Sequence, residues 1–320
     1  MDNIYILLYR LLLPRRYNRY LLRAGGDRDK CRETLLHGTY YEEYDLYGFA
    51  RKSPEQRAKY VTDAYRNRIC RRVNDPRQQR VVMDKYLTAT AFRDCYRRDF
   101  MSVAAAADRH PFIDFGMKHG RLAVKPVDGC AGRGVRCLSA ATADEWEAHF
   151  DSLMAEQRRF IAEQLIVQSP LMARWNDSSV NTVRVNTVNR RGHVGILTAN
   201  LRCGRPGSFV DNCAQGGLCA NIDEATGMII TPACGQGSEI CRCHPDSGIP
   251  FVGERIPQWE ALLATARALA LRLPRLAYVS WDFALTDDGW VLVEANKGEL
   301  IADQRNLGCG LRPKFDRMMN

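Results

Sequence analysis

The sequence predicts an α+β fold that is preceded by a helical segment, and three observations lead to this prediction. Apolar and aromatic residues recur at three- and four-residue spacing through the first 80 residues, as they do in helices. Beyond about residue 81, strand-like runs come in pairs that single helical segments separate. These pairs show no regular strand–helix–strand alternation, which disfavours a doubly wound parallel sheet.

The predicted elements follow in chain order. Helices are expected at residues 4–13, 55–73 and 256–273, and residues 144–167 are expected to be helical and to run into an extended stretch. Strands are expected at 121–126, 135–138, 180–189, 194–202, 277–285 and 290–295. Residues 204–248 are rich in Gly, Asn, Asp and Cys and are expected to be mostly loop, and the tail is expected to be irregular.

Size and composition exclude several classes of protein. A chain of 320 residues and 36.3 kDa is long enough for one large domain or two ordinary ones. Hydrophobic residues make up 46% and charged residues 26%, which is typical of folded globular proteins. No apolar run approaches the roughly 20 residues that a membrane span needs, and residues 4–13 are interrupted by Arg10. We therefore predict a cytoplasmic protein without an export signal, and a membrane-proximal position stays open.

The net charge of +9 belongs to the N-terminal region. Residues 1–80 carry 18 basic and 10 acidic residues, and the rest of the chain is nearly balanced, which excludes a nucleic-acid channel through the whole protein. An apolar segment beside arginines, here residues 4–13 beside Arg15 and Arg16, can lie on an anionic bilayer as a weak peripheral contact. Apolarity on all sides is more typical of burial, against the body of the protein or in a homodimer contact, and we favour burial.

A glycine-rich loop follows the predicted strand that carries Lys125. Its glycines, Gly129, Gly132 and Gly134, allow backbone N–H groups to approach phosphate oxygens. The spacing matches neither a Walker A motif nor a dinucleotide-binding fingerprint, and the loop joins strand to strand. A hairpin flap over a triphosphate, with Lys125 reaching in from the strand, is one interpretation. A tight hairpin without a ligand is the other.

The strongest signal is the predicted hairpin of residues 280–296. Residues 287–289 predict a three-residue loop, and the register that it sets places Asp282 opposite Glu294, with Asn296 on the same face. Paired carboxylates in apolar surroundings repel each other unless a cation lies between them, and oxygen ligands suit Mg²⁺. The hairpin therefore predicts a metal site, and a solvated hairpin face is the alternative.

The twelve cysteines are expected to be reduced thiols, because no export signal is predicted. Six of them lie between residues 203 and 243 and are followed by His244. This stretch contains one C-x-C and no pair of C-x-x-C motifs, so a zinc cluster is disfavoured but stays open.

The lysine, the flap and the carboxylate hairpin together resemble the ATP-grasp superfamily. Further motifs occur in an order that resembles the sugar-transfer associated ATP-grasp family over roughly residues 35–310. They are Asp-Lys at 84–85, Val-Lys-Pro at 124–126, Ile-Ala-Glu-Gln-Leu-Ile at 161–166, Gln-Ser-Pro at 168–170, Ser-Val-Asn-Thr-Val-Arg at 179–184, Leu-Arg-Cys-Gly at 201–204, Ser-Phe-Val-Asp-Asn at 208–212, Gly-Gly at 216–217, His-Pro-Asp-Ser-Gly at 244–248 and Trp-Asp at 281–282.

The resemblance implies an ATP-grasp fold, in which two α+β lobes hold ATP. Residues 1–80 would be a basic helical region, 81–165 the N-terminal lobe with the flap, and 166–320 the C-terminal lobe with the metal-binding hairpin. The implied nucleotide contacts are Lys85, Lys125, Gly129, Gly132, Gly134, Val135, Glu163, Leu165 and Ile166. The implied metal ligands are Asp282, Glu294 and Asn296, and the implied catalytic residues are Arg184, Arg202 and Asn212.

The implied reaction is that of a carboxylate–amine ligase of the EC 6.3 type, which uses ATP and Mg²⁺ or Mn²⁺ to form an acyl phosphate that an amine attacks. The family's association with surface-polysaccharide genes implies small-molecule or glycan-linked substrates. A phosphotransferase acting on a sugar hydroxyl and a nucleotide-gated binding module without turnover are the alternatives. Structural salt bridges are the alternative for Arg184 and Arg202. Residues 161–166 resemble the hinge between the two lobes of the family, and Val-Gln-Ser at 167–169 after it supplies no acid for the ribose. Lys-Gly-Glu at 297–299 replaces the Ser-Pro-Gly of a related branch, so a different acceptor pocket is expected.

Overall fold

The computed structural model describes residues 2–129, 132–156, 158–237, 239–298 and 300–320. Cys130 and Ala131 of the predicted flap and Glu299 of the stretch after Asn296 lie outside these ranges. The chain divides into two compact units, Met1–Val73 with Glu299–Asn320, and Asn74–Gly298. The first unit ends before the predicted boundary at residue 80 and includes the end of the chain. The three-part division at residues 80 and 165 stays a prediction.

The α-helices of the described residues are α1 (Asp2–Leu12), α2 (Pro14–Arg23), α3 (Arg28–His37), α4 (Tyr41–Leu46), α5 (Pro54–Arg57), α6 (Asp63–Val73), α7 (Pro76–Met83), α8 (Lys85–Ala91), α9 (Arg93–Tyr96), α10 (Arg109–His119), α11 (Ala143–Ala155), α12 (Pro170–Ala173), α13 (Trp259–Leu271), α14 (Ile301–Leu307) and α15 (Arg312–Met319). Single 3₁₀ turns lie at Phe49–Arg51, Ala106–Asp108 and Cys213–Gln215.

The strands form two antiparallel sheets in the second unit. They are β1 (Phe100–Val103), β2 (Arg121–Pro126), β3 (Arg136–Ser139), β4 (Phe160–Gln164), β5 (Thr182–Arg190), β6 (His193–Cys203), β7 (Leu218–Ile222), β8 (Ala233–Cys234), β9 (Ile240–Cys241), β10 (Tyr278–Thr286) and β11 (Gly289–Asn296). The four-stranded sheet has the order β1-β4-β2-β3, and the seven-stranded sheet has the order β11-β10-β5-β6-β7-β8-β9. The predicted α+β class is therefore confirmed.

The four-stranded sheet packs against α10 and α11. Phe112 of α10 and Trp146 and Phe150 of α11 are fully buried against Phe160 of β4. A capping box begins α11, since the Thr142 hydroxyl accepts a hydrogen bond from the Glu145 N–H and the Glu145 carboxylate accepts one from the Thr142 N–H. The strands β2 and β3, which the flap connects, belong to this packed layer.

The seven-stranded sheet packs against α13. The buried face of α13 recurs at helical spacing, with Trp259, Leu262, Ala266 and Leu269 all within 1% of full burial. Its edge strand β11 is contacted by α7, α8 and α9, which cover an edge that would otherwise offer unpaired backbone groups. The β10–β11 hairpin is therefore packed between strand β5 on one side and these three helices on the other.

Three predictions about elements are wrong. Residues 55–73 form α5 and α6 with a break between them, because Pro54 starts a single helical turn that residues 58–62 do not continue. The helix predicted over residues 144–167 ends at Ala155, and residues 160–164 form strand β4 instead. The prediction that residues 204–248 are mostly loop holds, although this stretch contains the buried strand β7, which pairs with β6. The tail forms α14 and α15 instead of irregular structure.

In the first unit, a carboxyl group is buried at the start of α4. Glu43 is 1% exposed and accepts hydrogen bonds from the N–H groups of Tyr40 (3.0 Å) and Asp63 (2.7 Å). Burial raises the pKa of Glu43 from 4.5 to about 7, although these donors and Arg66 act in the opposite direction. The folded state therefore binds a proton at Glu43 more tightly than the unfolded chain does.

This pKa predicts a loss of stability as the pH rises. An acid whose folded pKa is raised favours folding below its unfolded pKa, and this contribution disappears as the pH passes the folded value. We expect the Tm to fall by roughly 5 °C more in the wild type than in Glu43→Gln between about pH 5 and pH 8. Circular dichroism melts measure this difference, with Glu42→Gln at the exposed neighbouring position as the control. The prediction would be contradicted if the Tm of Glu43→Gln fell as much between about pH 5 and pH 8 as the Tm of the wild type.

Candidate functional site

A cavity of about 480 Å³ in the second unit is lined by residues of both sheets. Most of the residues predicted for the site line it: Lys85, Lys125, Gly129, Gly132, Val135, Glu163, Leu165, Ile166, Arg202, Asn212, Asp282 and Glu294. Gly134, Arg184 and Asn296 are not among its described lining residues. The cavity therefore brings the predicted nucleotide residues and the carboxylate hairpin together.

Lys85 connects the start of a helix to the flap. Asp84 caps α8 by accepting hydrogen bonds from the N–H groups of Tyr86 and Leu87, which fixes Lys85 at the first helical position. The Lys85 ammonium donates a hydrogen bond to the Gly129 carbonyl at 2.5 Å. Its Nζ also lies 3.7 Å from Oε2 of Glu294, so this ammonium lies between the flap and the hairpin.

The flap approaches a second loop across the cavity. A side-chain Cβ at Gly132 would lie 3.4 Å from Val210 and 3.6 Å from Asn212, which places the tip of the flap against the loop after β6. Gly134 has a φ of +74° and sits directly beside Pro126, so both its backbone conformation and its surroundings favour glycine. Gly134 therefore shapes the turn instead of lining the cavity.

Glu163 of β4 is buried between two cations. Its Oε2 lies 3.0 Å from Nζ of Lys125 and 2.9 Å from Nη2 of Arg98. Burial by itself raises the pKa of Glu163, but the charges of Lys125 and Arg98 outweigh burial and hold the pKa below its usual value of 4.5. Glu163 is therefore a carboxylate at neutral pH, and it orients Lys125 toward the cavity wall.

Arg98 joins the two sheets and was not predicted as a site residue. Its guanidinium bonds to Glu163 of β4 and donates to the backbone carbonyls of Leu292 (2.7 Å) and Val293 (3.2 Å) of β11. It also stacks on the Tyr96 ring, with 3.3 Å between the guanidinium carbon and the ring centre. No local signal in the sequence marks Arg98 for this role, because arginine makes up most of the 46 basic residues.

Asp282 of β10 is held by two arginines. Arg184 on the neighbouring strand β5 donates from Nε to Oδ1 and from Nη2 to Oδ2, both at 2.7 Å, and Arg202 Nη1 lies 3.2 Å from Oδ2. Burial raises the pKa of Asp282, but Arg184 and Arg202 outweigh burial and keep the pKa below 3.8. Both arginines thus form the salt bridges that were the structural alternative, and their catalytic roles stay predictions.

The predicted pairing of Asp282 with Glu294 is confirmed, although the predicted loop is wrong. The loop has two residues, because Thr286 pairs with Gly289 instead of Trp290. A bulge at Val293 then shifts the register by one residue and restores the expected partner. The carboxyl group of Glu294 lies within hydrogen-bonding reach of Asp282.

This pair fits a divalent cation. Two neighbouring carboxyl groups supply the oxygen donors that Mg²⁺ takes, and 30% of the Glu294 side chain is exposed. Asn296, the third predicted ligand, accepts a hydrogen bond from the Gly298 N–H at 2.7 Å. Both oxygens of Asp282 also accept hydrogen bonds from Arg184, and the metal-binding roles of Asp282, Glu294 and Asn296 stay predictions.

Arg202 is shared between Asp282 and a second acid, Asp211. Asp211 accepts hydrogen bonds from the Thr182 N–H (3.1 Å) and hydroxyl (2.5 Å), and its Oδ1 lies 3.8 Å from Nη2 of Arg202. Burial and Arg184 lower the pKa of Arg202, but Asp211 and Asp282 outweigh them, so the net shift is upward and Arg202 stays charged. Asp211 and Thr182 line the cavity and were not predicted as site residues.

None of the cysteines between residues 203 and 243 is among the described residues that line the cavity. The eleven cysteines that the structure describes are free thiols. His244 is fully buried, and its Nε2 lies 2.9 Å from the Gly204 carbonyl oxygen. Among the described residues, no group of three or more His, Cys, Asp and Glu side chains is arranged to hold a metal ion.

Residues 64–319 match the family described as sugar-transfer associated ATP-grasp. The chain belongs to this family. The ATP-grasp fold that the motifs predicted is therefore confirmed. A comparison with curated proteins gives no match. In the described part of the chain, no helix is long and apolar enough to cross a membrane.

Several solved structures resemble this ATP-grasp chain. D-alanyl-alanine synthetase A from Vibrio cholerae O1 biovar eltor str. N16961 matches 77% of the chain and 66% of its own, with 12% identity and a TM-score of 0.49. The ATP-grasp ligase PsnB, complexed with minimal precursor, matches 77% and 62%, with 15% identity and a TM-score of 0.45. D-cycloserine synthetase DcsG matches 80% and 78%, with 14% identity and a TM-score of 0.45. The chain thus spans just under two thirds of the length of the first two structures.

Proposed function

We propose that this ATP-grasp chain is an ATP-dependent ligase that joins a carboxylate to an amine through an acyl phosphate, in the assembly of a glycan or another surface polymer. One observation carries the proposal: a single cavity holds two ammonium groups, a glycine flap, a charged arginine and a carboxylate pair. This combination suits a bound triphosphate, because its negative charge needs several cations at fixed positions. The name of the family supports the glycan-related context.

The cavity is lined by two kinds of surface. Ala123, Leu165, Ile166 and Val167 line one part with apolar surface and backbone groups, which suits a flat nucleobase. Lys85, Lys125 and Arg202 lie with the flap and the hairpin and suit the phosphates. We therefore assign the base to the hinge after β4 and the triphosphate to the space under the flap.

The proposed reaction has two steps. A carboxylate oxygen of the substrate attacks the γ-phosphorus, the bond to the β–γ bridging oxygen breaks, and ADP leaves. The amine nitrogen then attacks the acyl carbon, the carbon–oxygen bond to phosphate breaks, inorganic phosphate leaves, and the nitrogen loses a proton to solvent. Positioning and charge neutralisation supply most of the catalysis in phosphoryl transfer.

The residues of the chain have distinct parts in this scheme. Lys85 and Lys125 would neutralise the triphosphate, and Arg202 would face the transferred group, because it lines the cavity. Arg184 would be a positioning residue that fixes both oxygens of Asp282. Mg²⁺ held by Asp282 and Glu294 would neutralise phosphate charge.

Isotope transfer tests the reaction class directly. A pool of candidate carboxylic acids is labelled with ¹⁸O in the carboxyl group and incubated with the protein, ATP, Mg²⁺ and a pool of amines. We expect ADP release that requires both pools, a new amide in the mass spectrum, and one ¹⁸O atom in the inorganic phosphate, since the acyl oxygen leaves with phosphate.

The other outcomes are distinguishable. A stable phosphorylated sugar without labelled phosphate would identify a phosphotransferase and overturn the ligase. ATP binding without ADP release under any mixture would identify a binding module. Glu294→Gln serves as the control protein, so that amide formed by a contaminating enzyme is recognised.

A further inference from the structure

Helix α1 has an exposed apolar stripe on the side that does not pack against the rest of its unit. Its other side packs, since Ile6 and Tyr9 lie against a buried cluster formed by Tyr17, Ala24 and Cys31. The stripe is exposed over 48–72% of its side-chain surface and consists of Ile4, Leu7, Leu8, Leu11 and Leu12. The burial that the sequence favoured is thus found on one side of the helix only.

The spacing of the stripe is that of a contact face. Positions 4, 7, 8, 11 and 12 follow the i, i+3, i+4, i+7, i+8 pattern that helices use for the side they bury. Five large aliphatic side chains in one exposed row exceed the scattered apolar residues that are ordinary on protein surfaces. A partner that covers α1 is therefore expected.

The charge around the stripe points to the nature of that partner. Between residues 4 and 26 the chain has five arginines and no acidic residue. All five are exposed, and among the described residues none of them pairs with a carboxylate: Arg10, Arg15, Arg16, Arg19 and Arg23. A second copy of this surface would bring like charges together, whereas an anionic surface would be attracted.

We infer that α1 and α2 form an interfacial anchor for an anionic lipid bilayer. The aliphatic stripe would enter the boundary between headgroups and acyl chains, and the arginines that follow it would contact lipid phosphates. Because one side of α1 packs through Ile6 and Tyr9 and only the other side is exposed, the helix would lie along the membrane surface. This inference does not depend on the proposed ligase activity.

Vesicle flotation of the full chain tests the anchor. The vesicles contain phosphatidylcholine alone or with phosphatidylglycerol at about a third of the lipid. We expect binding to the anionic vesicles, a loss of at least about tenfold in partitioning for Leu7→Glu/Leu11→Glu, and no comparable loss for Ile240→Glu/Leu271→Glu. The control pair changes charge equally and replaces apolar side chains of similar exposure, 70% and 49%, elsewhere on the surface.

A second pair of variants isolates the electrostatic part. Arg15→Gln/Arg16→Gln should weaken binding to anionic vesicles several-fold, whereas Arg71→Gln/Arg72→Gln, another adjacent exposed pair, should not. Raising the salt to about 0.5 M should have the same effect as the first pair. Circular dichroism melts check that every variant folds.

Three results would overturn the anchor. One is that wild-type protein stays unbound with anionic vesicles at low salt. Another is that light scattering without lipid shows a dimer that Leu7→Glu/Leu11→Glu dissociates, which would make a second copy the occupant of the stripe. The third is that RNA or DNA competes for the arginines while the aliphatic substitutions change nothing.

Discussion

Glu294→Gln is expected to reduce ATP-dependent turnover by at least about a hundredfold, because the variant removes one full negative charge from the carboxylate pair that faces the cavity. The Tm should stay within a few degrees of the wild type. Glu294 is half-buried, its contact with Lys85 is long at 3.7 Å, and the amide of glutamine can still bond to Asp282. Turnover is measured as ADP release in the isotope assay.

A binding measurement separates loss of metal from loss of structure. Titration of a non-hydrolysable ATP analogue by calorimetry should show Mg²⁺-dependent affinity in the wild type and little Mg²⁺ dependence in Glu294→Gln. Glu254→Gln is the matched control, since its side chain is 28% exposed and pairs with Arg174 outside the cavity. Normal turnover in Glu294→Gln would contradict the assignment of Glu294 as a metal ligand.

In the carboxylate hairpin, the predicted pairing of Asp282 with Glu294 is correct although the predicted loop length is wrong. The loop at Asp287 and Asp288 is one residue shorter than predicted, which alone would move Glu294 out of register with Asp282. The bulge at Val293 compensates, and nothing in the local sequence announces it. The predicted partner is right because the shorter loop and the bulge cancel in their effect on the register.

Residues that act through long-range contacts could not be predicted. Lys125 and the flap glycines follow one another within a few residues, so the sequence alone could group them as one motif. Arg98 is 65 positions from Glu163 and 194 from Leu292, and only the folded chain brings them together. Strand β7 was missed for a related reason, because its five residues gain their regular structure from pairing with β6.

The bulge and Arg98 belong to one arrangement that links the two sheets. Arg98 occupies the carbonyl groups of Leu292 and the bulged Val293, and it holds Glu163 with the same guanidinium. Glu163 in turn orients Lys125 at the cavity. A substitution at Arg98 should therefore affect stability first and the position of the nucleotide-binding lysine second.

Arg98→Met is expected to lower the free energy of unfolding by about 3–5 kcal/mol at neutral pH, because it leaves the buried Glu163 carboxylate with one cation and removes the Arg98 donor from three backbone carbonyls, those of Tyr96, Leu292 and Val293. The side chains of Arg98 and Glu163 are 4% and 2% exposed, so water cannot replace the lost contacts. Arg255→Met, which breaks the exposed pair with Glu260, should cost less than about 1 kcal/mol.

A double-mutant cycle and a pH series decide whether the charge pair is the cause. Arg98→Met/Glu163→Gln should be less destabilised than the sum of the two single variants, since the unpaired charge is gone. The depressed pKa of Glu163 means that its contribution is present above 4.5 and is lost as the pH falls through the lower folded value. The difference between the wild type and Arg98→Met in urea denaturation should therefore shrink in acid. A difference that stays constant with pH, together with additive single effects, would show that Arg98 acts through packing alone.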